Sequence, residues 1–175
     1  MPAKKKPAAR SSPKASRPHM PGYGLPEGIK GLLPWKWAEE RLKESHNYWV
    51  ATARPDGRPH VMIVWGLWLD GVFYFSSGRQ SRKAKNLTEN PHCVIATEHA
   101  EAAVIVEGVT EEVLDVAFRR KFIRIYERKY KFDMSGFEKD MLNLKEPVYG
   151  VRPRAVFGLD EKKTLNTATR WKLQR

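Results

Sequence analysis

The chain has 175 residues, 41% of them hydrophobic, which suits a single globular core. Its one cysteine, Cys93, excludes a disulfide framework or a multi-thiolate metal site built within one chain. No run approaches the ~20 apolar residues that span a bilayer, and the basic N-terminus lacks the apolar core of a secretory signal, so no membrane partner and a reducing, cytoplasmic setting are expected. The net charge of +12 divides unevenly: half of the excess lies in residues 1–18, where Lys4, Lys5, Lys6, Arg10, Lys14 and Arg17 meet no acid. That stretch holds only Lys, Arg, Pro, Ala and Ser after Met1, too little apolar surface to order itself, so residues 1–20 are expected to form a disordered basic tail. The tail reads either as a loose contact for nucleic acid or as a solubilising segment without a partner, and the second reading is preferred.

Residues 21–33, rich in Gly and Pro, form an expected extended lead-in to a domain over 34–175. Gly22, Gly24 and Gly28 lack the spacing of a dinucleotide fingerprint, and no strand precedes them. A helix is predicted from Pro34 to about Ser45, with Trp35, Trp37, Ala38 and Leu42 on its apolar side. From Tyr48 to Ala53 the composition becomes aromatic and β-branched, as in a strand. Pro55-Asp56-Gly57 turns the chain into a second strand over 58–69, and Asp70-Gly71 turns it again into a third over 72–76. A short helix is predicted from Ser81, its N-cap, to about Asn90. Strands over 92–97 and 103–114 follow, with Cys93 read as a buried core thiol. A charged helix over 114–131 and strands over 148–157 and 164–172 complete the chain. The pattern is mainly β (α+β) and antiparallel, a barrel with peripheral helices.

The densest chemistry runs from Phe75 to Lys83. An aromatic strand ends in serines, and a loop delivers Arg79, Ser81, Arg82 and Lys83 at a helix start, where free N–H groups and the dipole favour a phosphate. The bland alternative is an ordinary basic helix surface. The aromatic hairpin before it (Trp65, Trp68, Phe73, Tyr74, Phe75) tips the reading toward a wall for a flat ring whose phosphate reaches the helix. No P-loop, HExxH or GxSxG motif occurs, and the five histidines show no ligand spacing.

The run ATARPDGRPHVMIVWGLWLDGVFYFSSGRQSRKAKNLTENP resembles the core of the pyridoxamine 5'-phosphate oxidase-like family, the flavin-binding split barrels. The pieces that carry the likeness are the PDGRPH turn, the FYFS strand end, SRKA followed by Asn86 and Pro91, the VEG strand and the late Thr169-Arg170-Trp171. The resemblance implies an antiparallel split β-barrel that works as a homodimer. It implies that His60, Val61, Met62, Ile63, Val64 and Trp65 run along the flavin, that Phe75 and Ser76 touch its ring and ribityl region, and that Ser81, Arg82 and Lys83 hold its phosphate. Arg170 and Trp171 would complete the site from the partner subunit.

The chain departs from the oxidase proper at three matched positions. His60 stands where that enzyme has an arginine, Trp65 where it has a lysine and Ala103 where it has a glutamine. These departures point away from the vitamin B6 reaction and toward the broader branch that uses FMN or a deazaflavin coenzyme. FMN is the preferred cofactor and deazaflavin the alternative, with hydride transfer to or from a small unidentified substrate. A non-catalytic module that holds flavin or haem is the second class of function. His60 is expected to pack structurally rather than to move protons.

Overall fold

The computed structural model of the chain describes residues 12–163 and 165–173; the charged run at Lys4–Lys6 and Arg10 lies outside the described residues. Residues that alternate in polarity form nine strands: β1 (Lys14–Ser16), β2 (Tyr48–Ala53), β3 (Pro59–Val64), β4 (Leu67–Leu69), β5 (Val72–Ser76), β6 (His92–Thr97), β7 (Ala102–Glu112), β8 (Val148–Asp160) and β9 (Thr169–Lys172). Helices α1 (Trp35–Glu44), α2 (Arg82–Glu89), α3 (Val116–Tyr130) and α4 (Ser135–Leu142) pack around them. None of these helices is long and apolar enough to cross a membrane.

The strand pairings among the described residues are antiparallel, and the hydrogen-bonded order is β1-β9-β8-β7-β6-β2-β3, with the β4–β5 hairpin joined to β8 through β5. The barrel is therefore split: among the described residues β3 pairs with β2 on one side and with no strand on the other. Register assigns the two faces. Val50, Ile95, Val106 and Val156 lie opposite one another and are buried. The neighbouring row of Ile63, Trp49, Ala96, Ile105 and Phe157 faces outward, where no helix covers it completely. Met62 faces inward with Val50 and is still 54% exposed, because the strand beyond it is missing at the split.

Three expectations change. The strand over 58–69 breaks at Trp65-Gly66 into β3 and β4. Tyr130 Oη accepts the Gly66 N–H at 2.7 Å and Lys129 Nζ donates to the Gly66 carbonyl at 3.0 Å, so the peptide leaves the ladder. A Cβ on Gly66 would stand 2.2 Å from the Phe73 ring, and only glycine fits this crossing. Part of the expected disordered tail is ordered: Lys14–Ser16 pair with Arg170–Lys172. Arg17 holds that segment by donating to the carbonyls of Gly28, Lys30, Asn166 and Ala168. Finally, α4 had no strong sequence signal, and the last strand is confined to Thr169–Lys172.

Candidate functional site

Strand β5 ends at Ser76, and the loop 77–81 carries the chain into α2. Ser81 caps that helix: its Oγ accepts the Ala84 N–H at 3.2 Å and lies 2.9 Å from Ser77 Oγ. The first turn carries no acid. Arg82 and Lys83 open the helix, and among the described residues neither is in an ion pair.

The inner side of α2 meets β2 and β3. Asn86 Nδ2 donates to Thr52 Oγ1 at 2.9 Å, which leaves Asn86 Oδ1 buried without a partner. Across from Thr52 on β3 stands His60, whose Nδ1 is likewise buried and unpartnered, as is Arg54 Nε close by. Burial, and then the charges of Arg54, Lys83 and Arg82, hold the imidazole below its usual pKa, so it is neutral at pH 7. Burial also lowers the Lys83 ammonium. Three cations, Arg54, Arg82 and Lys83, thus gather at a capped helix start, a set that fits a phosphate, with Asp56, paired to Arg58, as the carboxylate that acts on Arg54. Buried polar atoms are rarely left unpaired, and of the three here Arg54 Nε can donate to an anion and His60 Nδ1 can do so in the matching tautomer, whereas Asn86 Oδ1 only accepts.

Beside this cradle runs the open edge of β3. Val61 and Ile63 face outward, His60 and Met62 face the split, and Val64 is buried. The backbone of β3 offers its free N–H and C=O groups to whatever lies along that edge.

Other expected site residues lie elsewhere. Phe75 is fully enclosed, 5.2 Å from the Tyr149 ring, and belongs to the core. Ser76 Oγ donates to the Pro147 carbonyl at 3.0 Å. Arg79 turns away from the helix start and donates to both oxygens of Glu112 and to the carbonyls of Leu144 and Lys145. In this chain it anchors the loop from behind. Trp171 is also wholly buried, 5.7 Å from Trp35, and offers no surface within this chain. Arg170 lies on the outer sheet face over Phe157, flanking a groove of about 580 Å³ formed with Pro18–Met20, Ala103, Ile105 and Leu159. The sequence reading overlooked Arg54 and Thr52; Arg54 had a signal, as a cation directly before the Pro55-Asp56-Gly57 turn.

Trp65 marks the far end of β3, stacked on Tyr130 at 4.5 Å and 3°. Beneath it, Lys129 donates to Tyr48 Oη at 2.9 Å and to Gly66. Burial pulls this ammonium down from 10.5 to about 8, against a smaller opposing pull from Glu98. The native pKa lies below that of the unfolded chain, so above about 8 the unfolded chain holds a proton that the native one has lost. Lys129 is therefore expected to make stability rise with pH from about 8 until the tyrosines ionise in the unfolded state near 10. Urea unfolding of wild type and Lys129→Met across that range checks this, and an identical slope in both proteins would contradict it.

A family model described as pyridoxamine 5'-phosphate oxidase matches residues 35–159. No curated protein matches the chain. Among solved structures, a conserved hypothetical protein from Mycobacterium tuberculosis is similar at a TM-score of 0.65 and 20% identity, covering 79% of this chain and 92% of its own. An F420 reductase is similar at 0.56 and 24%, covering 75% and 98%. A FAD-binding protein from Mesorhizobium loti gives 0.57 and 18%, covering 79% and 94%. At these identities the likeness is one of fold.

Proposed function

The chain belongs to the pyridoxamine 5'-phosphate oxidase family, and from that premise we propose that it is a cytoplasmic, FMN-dependent oxidoreductase acting on a small substrate. The basic cradle at the start of α2 carries this reading: Arg54, His60, Arg82 and Lys83, with Arg54 Nε and His60 Nδ1 buried and unpartnered, beside an unpaired strand edge. Ser81, Arg82 and Lys83 bind the phosphate, and the free edge of β3 from His60 to Trp65 meets the ring through its backbone. When bound, the cofactor supplies hydride transfer at its ring. The chain's part is to fix the phosphate, present one ring face and exclude water from the other. The departures at His60, Trp65 and Ala103 set the vitamin B6 reaction aside.

The working unit in this reading is a homodimer. The outward row of Trp49, Ile63, Ile105 and Phe157 is an apolar face of the kind that marks an interface. A second copy seated there brings its Arg170 toward the open edge of β3. A deazaflavin is the second reading, favoured by the similarity to an F420 reductase; its phosphate suits the same cradle.

One experiment tests cofactor and assembly together. Purified protein is loaded with FMN and, separately, with the deazaflavin, and is followed by absorption during size exclusion with light scattering. FMN is expected to co-elute at twice the 20.2 kDa chain mass. Retention of the deazaflavin alone would transfer the assignment to it, and retention of neither would overturn the reading.

A further inference from the structure

The pairing of β1 with β9 joins two parts of the chain that the sequence keeps far apart. The strands are antiparallel with Lys14 opposite Lys172, so the chain enters β1 and leaves β9 at one corner of the sheet. Arg17 fixes this root through the carbonyls of Gly28, Lys30, Asn166 and Ala168, and Ser16 Oγ donates to the Arg170 carbonyl at 3.4 Å. Arg154 adds a third cation to the corner, since its carbonyl accepts the Leu173 N–H at 3.4 Å. Lys14, Arg154 and Lys172 are exposed, and among the described residues none of them is in an ion pair.

Acids are few around them. Strands β1 and β9 hold none, and on β8 the sole acid, Asp160, lies at the far end, 3.6 Å from Lys163. On β7, Glu111 pairs with Arg152 and Glu112 with Arg79 and Arg119, which leaves Glu107, opposite Ala155. Arg170 is set aside, because it lies over Phe157 beside the groove. The sequence extends the same sign on both sides of the corner: Lys4, Lys5, Lys6 and Arg10 precede it, with no acid before Glu27, and Arg175 follows. Like charges directly opposite each other weaken a strand pair, so Lys14 and Lys172 are poorly placed for stability and well placed for a polyanion.

We propose that this corner, with the basic residues that flank it in the sequence, binds the phosphate backbone of a nucleic-acid duplex without reading its bases. Thirteen residues before Lys14 span at most about 45 Å when extended. A duplex carries one charge per ~1.7 Å of axis, so that length sets four cations on separate phosphates. Between Pro2 and Arg17 the sequence holds only Pro, Ala, Ser, Lys and Arg, with no aromatic or large aliphatic side chain to enter a lipid surface. A basic arm of this composition suits nucleic acid better than a membrane. The proposal is independent of the cofactor reading.

Fluorescence anisotropy of the full chain with a labelled DNA duplex of about 24 base pairs, between about 50 and 200 mM salt, is the test. Wild type is expected to bind with a Kd of about 1–100 μM near physiological salt, and log affinity to fall with log salt at a slope of about −4 or steeper. Deleting residues 2–11 leaves β1 and Arg17 in place; it is expected to weaken binding about tenfold or more and to flatten the slope by about 3. Lys14→Gln with Arg154→Gln and Lys172→Gln is expected to flatten it by about 2–3. Arg120→Gln with Arg124→Gln and Arg128→Gln removes the same charge from exposed, unpaired arginines on α3, and is expected to bind like wild type. Equal losses from the two triple variants mean attraction to net charge alone and overturn the proposal. No binding by wild type, or an unchanged Kd in either corner variant, overturns it as well. So does tighter binding to vesicles of phosphatidylserine and phosphatidylcholine than to the duplex at equal phosphate.

Discussion

Arg119→Met is expected to lower the unfolding free energy by about 3–5 kcal/mol, the range for removing one partner from a buried charged network. Arg119 is wholly enclosed, and its guanidinium donates to the carbonyls of Val113 at 2.6 Å, Met141 at 2.5 Å and Glu146 at 2.8 Å, and to Glu112 Oε1 at 3.2 Å. Methionine refills most of the volume but donates nothing. Glu112 keeps Arg79, so the charge stays partly paired. The loss falls on the buried Met141 carbonyl, which costs about 1–3 kcal/mol when left unpaired, and in smaller part on the part-buried carbonyls of Val113 and Glu146. Lysine is expected to rescue little, because one ammonium cannot match a fork aimed at three directions. Urea unfolding midpoints measure the effect, and a loss below about 1 kcal/mol would mean that water replaces the guanidinium freely. The same network fixes the end of β7 and the segment after α4, and through Arg79 it steadies the loop in front of α2.

The second large effect is on ligand affinity. Arg82→Ala with Lys83→Ala removes two charge-assisted donors from the proposed phosphate cradle, each worth about 1.5–3 kcal/mol. FMN affinity is expected to fall about 100-fold or more. Stability should hold, since among the described residues neither side chain is in an ion pair. FMN fluorescence titration gives the affinity, and a thermal melt without cofactor confirms the fold. An unchanged dissociation constant would remove the phosphate from this helix start. Arg79→Ala is the instructive contrast: its effect should appear first in stability, because its side chain faces Glu112 and the loop carbonyls.

Local signals read well from the sequence. Ser81 as a cap, the strand over Tyr48–Ala53, the hairpin at Asp70-Gly71 and the helix after Pro34 each depend on neighbours a few residues away. What resisted reading is decided at long range. Arg79 looked like a phosphate ligand because its partner Glu112 lies 33 residues away. The resemblance places Phe75 and Trp171 at the site, whereas within this chain both rings are buried, which an aromatic residue in a strand does not declare by itself. The break at Gly66 depends on Tyr130, 64 residues later, and the ordering of Lys14–Ser16 depends on a strand at the opposite end of the chain. The cradle itself was half legible: Ser81, Arg82 and Lys83 are contiguous, whereas Arg54, Thr52 and Asn86 join them only when two strands and a helix meet.

Strand β8 is the long shared member of the sheet, paired along its length with β5, β7 and β9. This gives synthesis an order. While the ribosome is still making residues before Val148, the nascent chain can assemble β2, β3, β6 and β7 into a meander, but the β4–β5 hairpin has no strand to join. The cradle's loop, which hangs from β5, waits with it. The barrel is completed only after the segment from Val148 onward emerges, and these late, distant pairings predict slow folding. The loop in front of α2 therefore takes its final place only once β8 has emerged.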